Sequence, residues 1–288
     1  MLRREDELFT LVEPPTTSGY KICKAVSVID GRVETSDEMV AEEVPVALVY
    51  NGISHAVMLA TPSHLEDFAV GFSLTENIVA SRADIFDINV EYGVDGIEVH
   101  LTIAGDCVFA LKEKRRSLTG RTGCGICGAE NIAHALRRPQ PLSSNIRVFS
   151  ASVHAAFREL SEFQRLHHLT GAVHAAAFAS ADGHVQLVRE DIGRHNALDK
   201  LIGALAINGT DAGSGMVLVT SRASYEMAHK SISAGISLLA AISAPTSLAV
   251  KLADESGLTL MGFTRGSQHV VYSHAKRILE KEKIGNER

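Results

Sequence analysis

The stretch Met216-Val217-Leu218-Val219-Thr220 is an almost wholly apolar run that leads directly into the polar turn Ser221-Arg222-Ala223-Ser224. Short apolar strands that alternate with segments of helical spacing are typical of a sheet whose two faces are covered by helices. The same alternation continues on both sides, with strands predicted at 238–242 and 258–263 and helices at 193–207, 225–236 and 246–255. The second half of the chain is therefore predicted to be α/β, with a largely parallel sheet.

The segments that flank this region extend the pattern in both directions. Asp182-Gly183 predicts a turn between strands at 172–179 and 184–189, and an amphipathic helix precedes them at 152–168. Towards the C-terminus, residues 272–283 are predicted to form a closing helix. The predicted order of elements is α-β-β-α-β-α-β-α-β-α.

The first half of the chain consists of short runs with β character. Asn51-Gly52 is a strong hairpin signal that separates predicted strands at 43–50 and 53–60. Further strands are predicted at 21–29, 85–90 and 96–103, and a helix is predicted to begin near 61–66. We therefore expect a flexible tail at 1–20, a smaller β-rich (α+β) N-terminal domain at 21–140 and an α/β domain at 141–288.

The composition is that of an ordinary soluble globular protein. The chain has 288 residues, of which 45% are hydrophobic and 22% charged, and its formal net charge of −6 argues against a nucleic-acid partner. No window of about 18 uninterrupted apolar residues is present, so no membrane span or membrane partner is predicted. The charged N-terminus lacks an apolar signal core and the four cysteines are unevenly spaced, which predicts a reducing, cytoplasmic location.

Two of the four cysteines, Cys124 and Cys127, lie within the glycine-rich loop 121–128. A helical stretch is predicted at 129–136, and a thiol at a helix N-terminus has a lowered pKa because the macrodipole and the nearby Arg121 favour the thiolate. Three interpretations are open: a reactive sulfur or redox nucleophile, half of a zinc site, or two small residues in a turn. The first is preferred, because zinc needs four ligands and no second Cys-x-x-Cys or His-x3-His partner is present.

Polar turns follow the predicted strands of the second half, at the edge where ligands of α/β proteins bind. Three of the four turns contain an arginine, and their recurrence predicts a pocket for an anionic, phosphorylated ligand; the turns are 189–196, 220–224, 243–247 and 262–268. Each turn taken alone is equally consistent with helix capping or a salt bridge. His174 is interpreted as a core group and His195 as a partner of a ligand or of Asp191, and neither is assigned to catalysis.

A set of longer motifs surrounds the cysteine pair. In the first half they are residues 43–52, 60–62, 65–72 and 123–128, and in the second half residues 170–176, 189–200, 218–227, 243–248, 262–263 and Arg265. With these motifs, which extend over residues 20–280 and leave out the N-terminal tail, the sequence resembles the FdhD family of formate dehydrogenase accessory sulfurtransferases. The motifs together are far more specific than the cysteine pair alone.

This resemblance implies a function, a site and partners. Members of the family accept persulfide sulfur from a cysteine desulfurase and transfer it to the molybdenum cofactor, bis-molybdopterin guanine dinucleotide (bis-MGD), before that cofactor enters formate dehydrogenase. The persulfide-bearing residue corresponds to Cys124, with Cys127 as a relay or resolving cysteine. The cofactor-binding segment corresponds to Phe263-Thr264-Arg265-Gly266-Ser267-Gln268, and we expect Ser221 and Arg222 to line the same pocket.

The resemblance also implies an architecture. The larger part of the family fold is a cytidine-deaminase-like, three-layer α/β domain, and members are thought to form homodimers. The likeness to deaminases is expected to stop at architecture, because zinc deaminases need a His-x-Glu motif, whereas His174 is followed by Ala175-Ala176. We therefore expect bis-MGD as a bound client cofactor and no zinc.

Two alternatives to sulfur transfer remain open. A dithiol oxidoreductase carries its Cys-x-x-Cys just after a buried strand, whereas residues 112–122 are basic and predicted to be turn-like. A non-catalytic cofactor chaperone would bind the nucleotide ends and use the cysteines only as a latch. The remaining cysteines, Cys23 and Cys107, stand alone in runs predicted to be strands.

Overall fold

Two large sheets carry the fold, one in each half of the chain. A computed structural model describes residues 18–119 and 139–280, with the backbone alone for residues 113–119. Within these residues, the sheet of the first half has four strands and the sheet of the second half has six, and two further sheets have two strands each.

The first half forms a hairpin ribbon and the four-stranded sheet. The ribbon pairs β1 (Tyr20–Ile29) with β2 (Arg32–Ala41) over the ten residues of each strand. The sheet has the order β4-β3-β6-β5 and is made of β3 (Val44–Tyr50), β4 (Ile53–Ala60), β5 (Ile85–Tyr92) and β6 (Ile97–Ile103). The predicted β3–β4 hairpin is confirmed, and the strands predicted at 85–90 and 96–103 are present as β5 and β6, which pair with each other. Strand β2 was not predicted, because its many acidic and polar residues hide the strand alternation.

Asn51 and Gly52 form the turn between β3 and β4. Their φ angles are 47° and 79°, the left-handed conformation that this hairpin turn requires and that Asn and Gly adopt most readily. The Asn51 side chain also accepts a hydrogen bond from the Ile103 N–H at 2.8 Å. The turn therefore fixes the β3–β4 hairpin and also connects it to the neighbouring strand β6.

Two helices follow strands of this sheet, α1 (Leu65–Thr75) after β4 and α2 (Gly105–Thr119) after β6. Helix α1 contributes Phe68 and Val70 to the core beneath the sheet. Helix α2 corrects two predictions: residues 112–119 are helical rather than turn-like, and Cys107 lies in a helix rather than in a strand. Acidic Asp106 in the first turn favours this helix, since it complements the positive end of the helix dipole.

The second half begins with a short strand and two helices: β7 (Val148–Phe149), α3 (Ser150–Phe163) and α4 (Arg165–Thr170). The single helix predicted at 152–168 was therefore wrong. The chain leaves helical geometry at Gln164, where ψ is 69°, and restarts in α4, which ends at Gly171 in the left-handed conformation.

The six-stranded sheet is mixed, and the prediction of a largely parallel sheet was wrong. Its order is β13-β12-β11-β10-β8-β9, made of β8 (His174–Ala179), β9 (Val185–Asp191), β10 (Met216–Val219), β11 (Leu238–Ala241), β12 (Thr259–Arg265) and β13 (Gln268–Val271). The parallel neighbours in this sheet are β10–β11 and β11–β12. Two hairpins, β8–β9 and β12–β13, add antiparallel strands at the two edges.

Both faces of this sheet are covered, as predicted. On one face, Val217, Val219 and Leu239 join a core built with α5 (Arg194–Ile207), α6 (Tyr225–Ser233) and α7 (Ser247–Ser256). On the other face, Met216 and Leu218 join a core with α3. Among the described residues, no helix has both the length and the hydrophobicity that a bilayer crossing requires.

The described chain ends in a short strand instead of the predicted closing helix. Residues Ala275–Arg277 make one 3₁₀ turn, and β14 (Ile278–Leu279) then pairs in parallel with β7. The helix prediction for 272–283 was therefore wrong as far as residue 280. Strand pairing with β7 provides long-range backbone partners that the local apolar spacing does not reveal.

The two halves meet where α1 crosses α5. Gly71 of α1 lies against the Asp199 carbonyl, and Gly203 of α5 lies against the Asp67 carbonyl, so closely that a Cβ on either glycine would overlap backbone atoms of the other helix. Two glycines at the crossing point allow the helix axes to approach more closely than side chains would permit. This contact fixes the N-terminal sheet relative to the six-stranded sheet.

Candidate functional site

The loops after β10, β11 and β12 lie side by side at one edge of the six-stranded sheet. Ala223 and Pro245 form an isolated parallel bridge, and the Thr246 N–H donates to the Ala223 carbonyl at 3.0 Å. The Phe263 N–H donates to the Ser243 carbonyl at 3.2 Å, which joins the third chain segment to the second. The parallel strands therefore end in one polar edge, where the sequence predicted a ligand pocket.

Two helices begin at this edge. The Ser224 hydroxyl accepts a hydrogen bond from the Met227 N–H at 3.5 Å and caps α6, and the Thr246 hydroxyl accepts one from the Ala249 N–H at 3.3 Å and caps α7. Helix N-termini carry partial positive charge and free N–H groups, so both favour an anion at the edge.

The predicted cofactor segment, residues 263–268, forms the end of β12, a turn and the start of β13. The polar turns were expected to lie at helix N-termini, but this segment lies in a hairpin and does not lead into a helix. Gly266 has a φ of 58° and makes the turn with Ser267, and Gln268 begins β13. The segment therefore projects from the sheet edge as a two-stranded extension.

Phe263 has an unusual conformation within this segment. Its φ is 52°, a left-handed value that costs a bulky residue about 1–2 kcal/mol, and its side chain is 47% exposed. The register of β12 and β13 shifts between Gly262 and Arg265, so the distortion is local. The neighbouring Thr264 is buried, and its hydroxyl oxygen has no hydrogen-bond partner among the described residues. A strained, exposed aromatic beside a polar edge indicates a functional constraint rather than a packing requirement.

The arginine of the segment is attached to the adjacent loop. Arg265 Nε donates to the Ile242 carbonyl at 3.0 Å, while the side chain is exposed. Arg222 is also exposed, on the loop after β10. Ser221 is buried, and its hydroxyl donates to the Arg222 carbonyl at 3.1 Å. The structure thus brings Phe263 and Arg265 against the second loop, with Ser221 and Arg222 on the loop beside it.

Histidines from two further elements lie near these loops. The Thr220 N–H donates to the Ala175 carbonyl at 3.0 Å, and the Ala175 N–H donates to the Thr220 hydroxyl at 2.8 Å, so His174 at the start of β8 lies beside the β10 loop. Burial lowers the pKa of His174, and the cationic Arg194 lowers it further. The neutral imidazole is therefore favoured.

His195 lies in the first turn of α5 and pairs with Glu226 of α6, whose carboxylate oxygen is 2.7 Å from Nε2. Burial and Arg194 lower the pKa of His195, and Glu226 opposes them. The expectation that His195 bridges Asp191 was wrong, because His195 pairs with Glu226 and Asp191 has other partners.

Those partners form a buried cluster that sequence reasoning missed. The Lys200 ammonium lies 2.6 Å from the Asp191 carboxylate, and it donates to the Thr61 hydroxyl at 2.7 Å. The same carboxylate accepts from the Thr61 N–H at 3.0 Å and from the Gly193 N–H at 2.8 Å. Burial lowers the pKa of Lys200, and Asp191 opposes this effect. The cluster fixes the turn that carries Arg194 and His195. The sequence signal that could have revealed the cluster was a lysine between Leu198 and Leu201, in the middle of an apolar helix.

A second cluster joins α6, α5 and the C-terminal end of α1. Lys230 of α6 donates to Asp199 at 2.9 Å and to Glu76 at 2.9 Å, and the Thr75 hydroxyl donates to Asp199 at 2.8 Å. Burial raises the pKa of Asp199. Burial alone would lower the pKa of Lys230, but the carboxylates of Asp199 and Glu76 outweigh it and raise that pKa. Both clusters connect residues of the first half to α5, which makes their role structural.

The predicted nucleophiles Cys124 and Cys127, with the rest of the loop 121–128, lie outside the described residues. Of the two cysteines that are described, Cys107 does not resemble a reactive thiol, because burial together with Asp84 and Asp106 raises its pKa, and Cys23 is exposed on the ribbon. Within residues 18–119 and 139–280, no group of three or more His, Cys, Asp or Glu side chains is placed to hold a metal ion.

The family follows from comparison with known proteins. The profile of the FdhD/NarQ family matches residues 41–279, most of the chain. The chain belongs to the FdhD/NarQ family. The resemblance inferred from the sequence motifs is thereby confirmed.

Individual relatives agree with this assignment. A sulfur carrier protein FdhD of Cupriavidus necator is 55% identical over 266 residues, which cover 92% of this chain and 91% of that protein. A sulfur carrier protein FdhD of Bordetella bronchiseptica is 53% identical over 239 residues, which cover 83% of this chain and 87% of that protein. These FdhD/NarQ relatives match over nearly their whole length, so the likeness is not confined to one motif or one half of the chain.

A solved structure supports the fold. The crystal structure of a protein described as a formate dehydrogenase accessory protein, from Desulfotalea psychrophila, matches with a TM-score of 0.73 and 24% sequence identity, over 90% of this chain and 99% of that one. This likeness concerns the FdhD/NarQ fold, a mixed α/β architecture with several sheets.

Proposed function

We propose that this protein is a sulfur carrier required for formate dehydrogenase activity, which passes persulfide sulfur from a cysteine desulfurase to bis-MGD before the cofactor enters the dehydrogenase. Relatives that match over most of the chain are named sulfur carrier protein FdhD, which supports sulfur transfer over a redox or purely structural role for the cysteine pair. Under this proposal the protein is a sulfurtransferase that works in the cytoplasm.

Cys124 is the proposed nucleophile. Its thiolate attacks the terminal sulfur of the desulfurase persulfide; a new S–S bond forms on Cys124, and the desulfurase thiolate is the leaving group. Cys127, three residues further along the chain, either relays this sulfur or resolves Cys124 as a disulfide. Glycines at 123 and 125 flank Cys124, which suits a thiol that must meet two partners, and Gly128 follows Cys127.

The guanine nucleotide ends of bis-MGD are proposed to bind at the polar edge. The main support for this binding site is that three chain segments lie side by side at the edge. One of them holds the exposed Phe263 in a strained left-handed conformation, near the exposed Arg265. An aromatic ring suits stacking on a base, and a guanidinium suits a phosphate. Thr264, Gly266, Ser267 and Gln268 complete the proposed segment, with Ser221 and Arg222 on the neighbouring loop.

The remaining parts of the proposal concern assembly and architecture. We propose a homodimer, with a division into a β-rich N-terminal domain and a cytidine-deaminase-like three-layer domain near residue 140. The arrangement of helices on both faces of the six-stranded sheet is consistent with three layers. The partners proposed are a cysteine desulfurase as donor and formate dehydrogenase as target.

Intact-protein mass spectrometry after incubation with a cysteine desulfurase and cysteine tests the proposal. The wild type should gain the mass of one or more sulfur atoms, and a reductant should remove it; Cys124→Ala should gain none. Cys23→Ala is the matched control, because Cys23 is an exposed cysteine on the ribbon, and it should load like the wild type. Sulfur loading of Cys124→Ala equal to that of the wild type would rule out Cys124 as the carrier.

A further inference from the structure

One face of the ribbon β1–β2 carries five large apolar side chains, with Lys24, Thr35 and Asp37 among them. Directly opposite residues in an antiparallel pair point to the same side, and here Ile22 lies opposite Met39 and Val28 opposite Val33. With Val26, these side chains are between 41% and 69% exposed. Within residues 18–119 and 139–280, this is an uncovered apolar face on a single hairpin.

The opposite face of the ribbon is polar in its middle, with Ile29 and Val40 towards its two ends. Ser27 lies opposite Glu34, Ala25 opposite Ser36 and Cys23 opposite Glu38. The two strands are therefore amphipathic with a period of two, the pattern of a sheet with one buried face. An isolated two-stranded hairpin is at best marginally stable in water, so ten paired residues on each strand with an exposed apolar face indicate a partner surface.

The rest of the chain covers only the base of this face. Helix α4 packs against β2, and Leu166 lies against Gly19 just before β1. Beside this contact is a cavity of roughly 370 Å³ whose walls include Tyr20, Phe163 and Leu169. The apolar surface thus continues from the ribbon to the corner between α3 and α4.

The charges on the apolar face indicate what binds there. Lys24 lies directly opposite Asp37 in the middle of the face, with Ile22 and Met39 on one side and Val26 and Thr35 on the other. Two copies of this face can be stacked about a two-fold axis that runs parallel to the strands. The two ribbons then point in the same direction, and β1 of each copy lies over β2 of the other. Lys24 would then lie against Asp37 of the partner subunit, and Ile22 against the partner's Met39. A surface that is complementary to itself is what a symmetric dimer requires.

We propose that the ribbon face (Ile22, Lys24, Val26, Val28, Val33, Thr35, Asp37 and Met39) binds the same face of a second copy of this chain, with the two ribbons pointing in the same direction. This proposal assigns the surface through which the homodimer forms, and of the proposed function it depends only on the homodimer. At ordinary strand dimensions the face covers about 300 Å² per copy. A standard interface buries about 800 Å² per partner. The exposed Phe163 and Leu169 at the base extend the contact, and the dimer dissociates on dilution.

A charge placed on either side of the ribbon tests the surface. Val26→Asp puts a carboxylate into the apolar face, whereas Ser27→Asp puts the same group on the polar face of the same strand. In sedimentation velocity over a range of concentrations, the wild type and Ser27→Asp should dimerise alike. Val26→Asp should raise the dimer dissociation constant by about tenfold or more. A wild type that stays monomeric at every concentration, or a Val26→Asp variant as dimeric as Ser27→Asp, overturns the proposal.

A mixing experiment separates a contact between subunits from an effect within one hairpin. Lys24→Asp makes the central pair of a ribbon entirely acidic, and Asp37→Lys makes it entirely basic, so each variant alone should dimerise weakly. An equimolar mixture should form one-to-one heterodimers in native mass spectrometry, because each acidic pair then meets a basic pair. A mixture that remains as monomeric as its components would refute stacked ribbon faces.

Failure of this proposal and failure of sulfur transfer give different results. Sulfur loading of Cys124 is measured on the same Val26→Asp protein by intact mass. A variant that becomes monomeric and still accepts sulfur supports the ribbon face and keeps the carrier function. A variant that dimerises like Ser27→Asp and accepts sulfur overturns the ribbon face alone.

Discussion

Among residues 18–119 and 139–280, only part of the Arg265 guanidinium is engaged. Its Nε donates to the Ile242 carbonyl, and the side chain remains exposed at the polar edge. An arginine anchored through one nitrogen keeps its other donors in a fixed orientation, so less side-chain entropy is lost when a phosphate binds. The anchor also explains why a basic residue at the tip of a hairpin can contribute to a site beside another loop.

Replacement of this residue gives a prediction at the residue scale. Arg265→Ala should weaken the binding of GDP about tenfold or more in calorimetry, because a charge-assisted contact to phosphate is lost. The fold should be unaffected, as the removed side chain is exposed. Arg32→Ala, an exposed arginine on the ribbon, is the matched control and should bind GDP like the wild type. Unchanged affinity of Arg265→Ala would remove this residue from the proposed pocket.

At the scale of elements, strong local sequence signals were sufficient to predict individual strands and turns. Asn51-Gly52 predicted the β3–β4 hairpin, and the apolar run at 216–220 predicted β10, because turn chemistry and burial are written into neighbouring residues. The mixed sheet was missed, since nothing local distinguishes a strand that pairs parallel from one that pairs antiparallel. The residues of the polar edge were predicted, but the hairpin setting of 263–268 was not, because it depends on β13 pairing with β12.

Long-range packing was the least predictable part. Gly71 and Gly203 lie in the interiors of α1 and α5, where glycine is intrinsically unfavourable by about 1 kcal/mol relative to alanine. From local sequence alone, a change to alanine at either position should therefore stabilise the protein. The structure reverses this expectation, because each glycine touches the backbone of the other helix.

Gly71→Ala and Gly203→Ala should each lower the free energy of unfolding by about 1–3 kcal/mol or more in urea denaturation, since a methyl group must push two packed helices apart. Gly105→Ala is the control, because Gly105 begins α2 and a Cβ there meets open space. It should leave the stability nearly unchanged or raise it slightly. A stabilised Gly71→Ala variant would show that the two helices can separate without cost.

At the scale of the whole molecule, the α1–α5 crossing makes the polar edge depend on both halves of the chain. Thr61, from the segment that leads to α1, holds Lys200 and Asp191, and these in turn hold the Gly193 turn that precedes Arg194. Removal of one partner from such a buried pair usually costs about 3–5 kcal/mol, since the other charge stays buried. The N-terminal sheet thus contributes to the site indirectly, by positioning the first turn of α5.

The buried histidines should give the whole molecule a characteristic pH dependence. In the folded state, burial lowers the pKa of His154, His174 and His195 below the usual value, which is about 6.5 in an unfolded chain. Between the folded value and 6.5 the unfolded chain binds more protons than the native protein, so the free energy of unfolding falls as the pH drops through this window and is fully recovered above it.

Each such histidine contributes at most about 1.4 kcal/mol per pH unit to this slope. The double variant His174→Gln/His195→Gln should therefore show a shallower loss of stability between pH 7 and pH 5, measured by urea denaturation at each pH. His184→Gln, which removes an exposed histidine, is the control and should keep the wild-type slope. If the double variant also kept the wild-type slope, the two imidazoles would bind protons equally in both states, and the lowered pKa values of His174 and His195 would be contradicted.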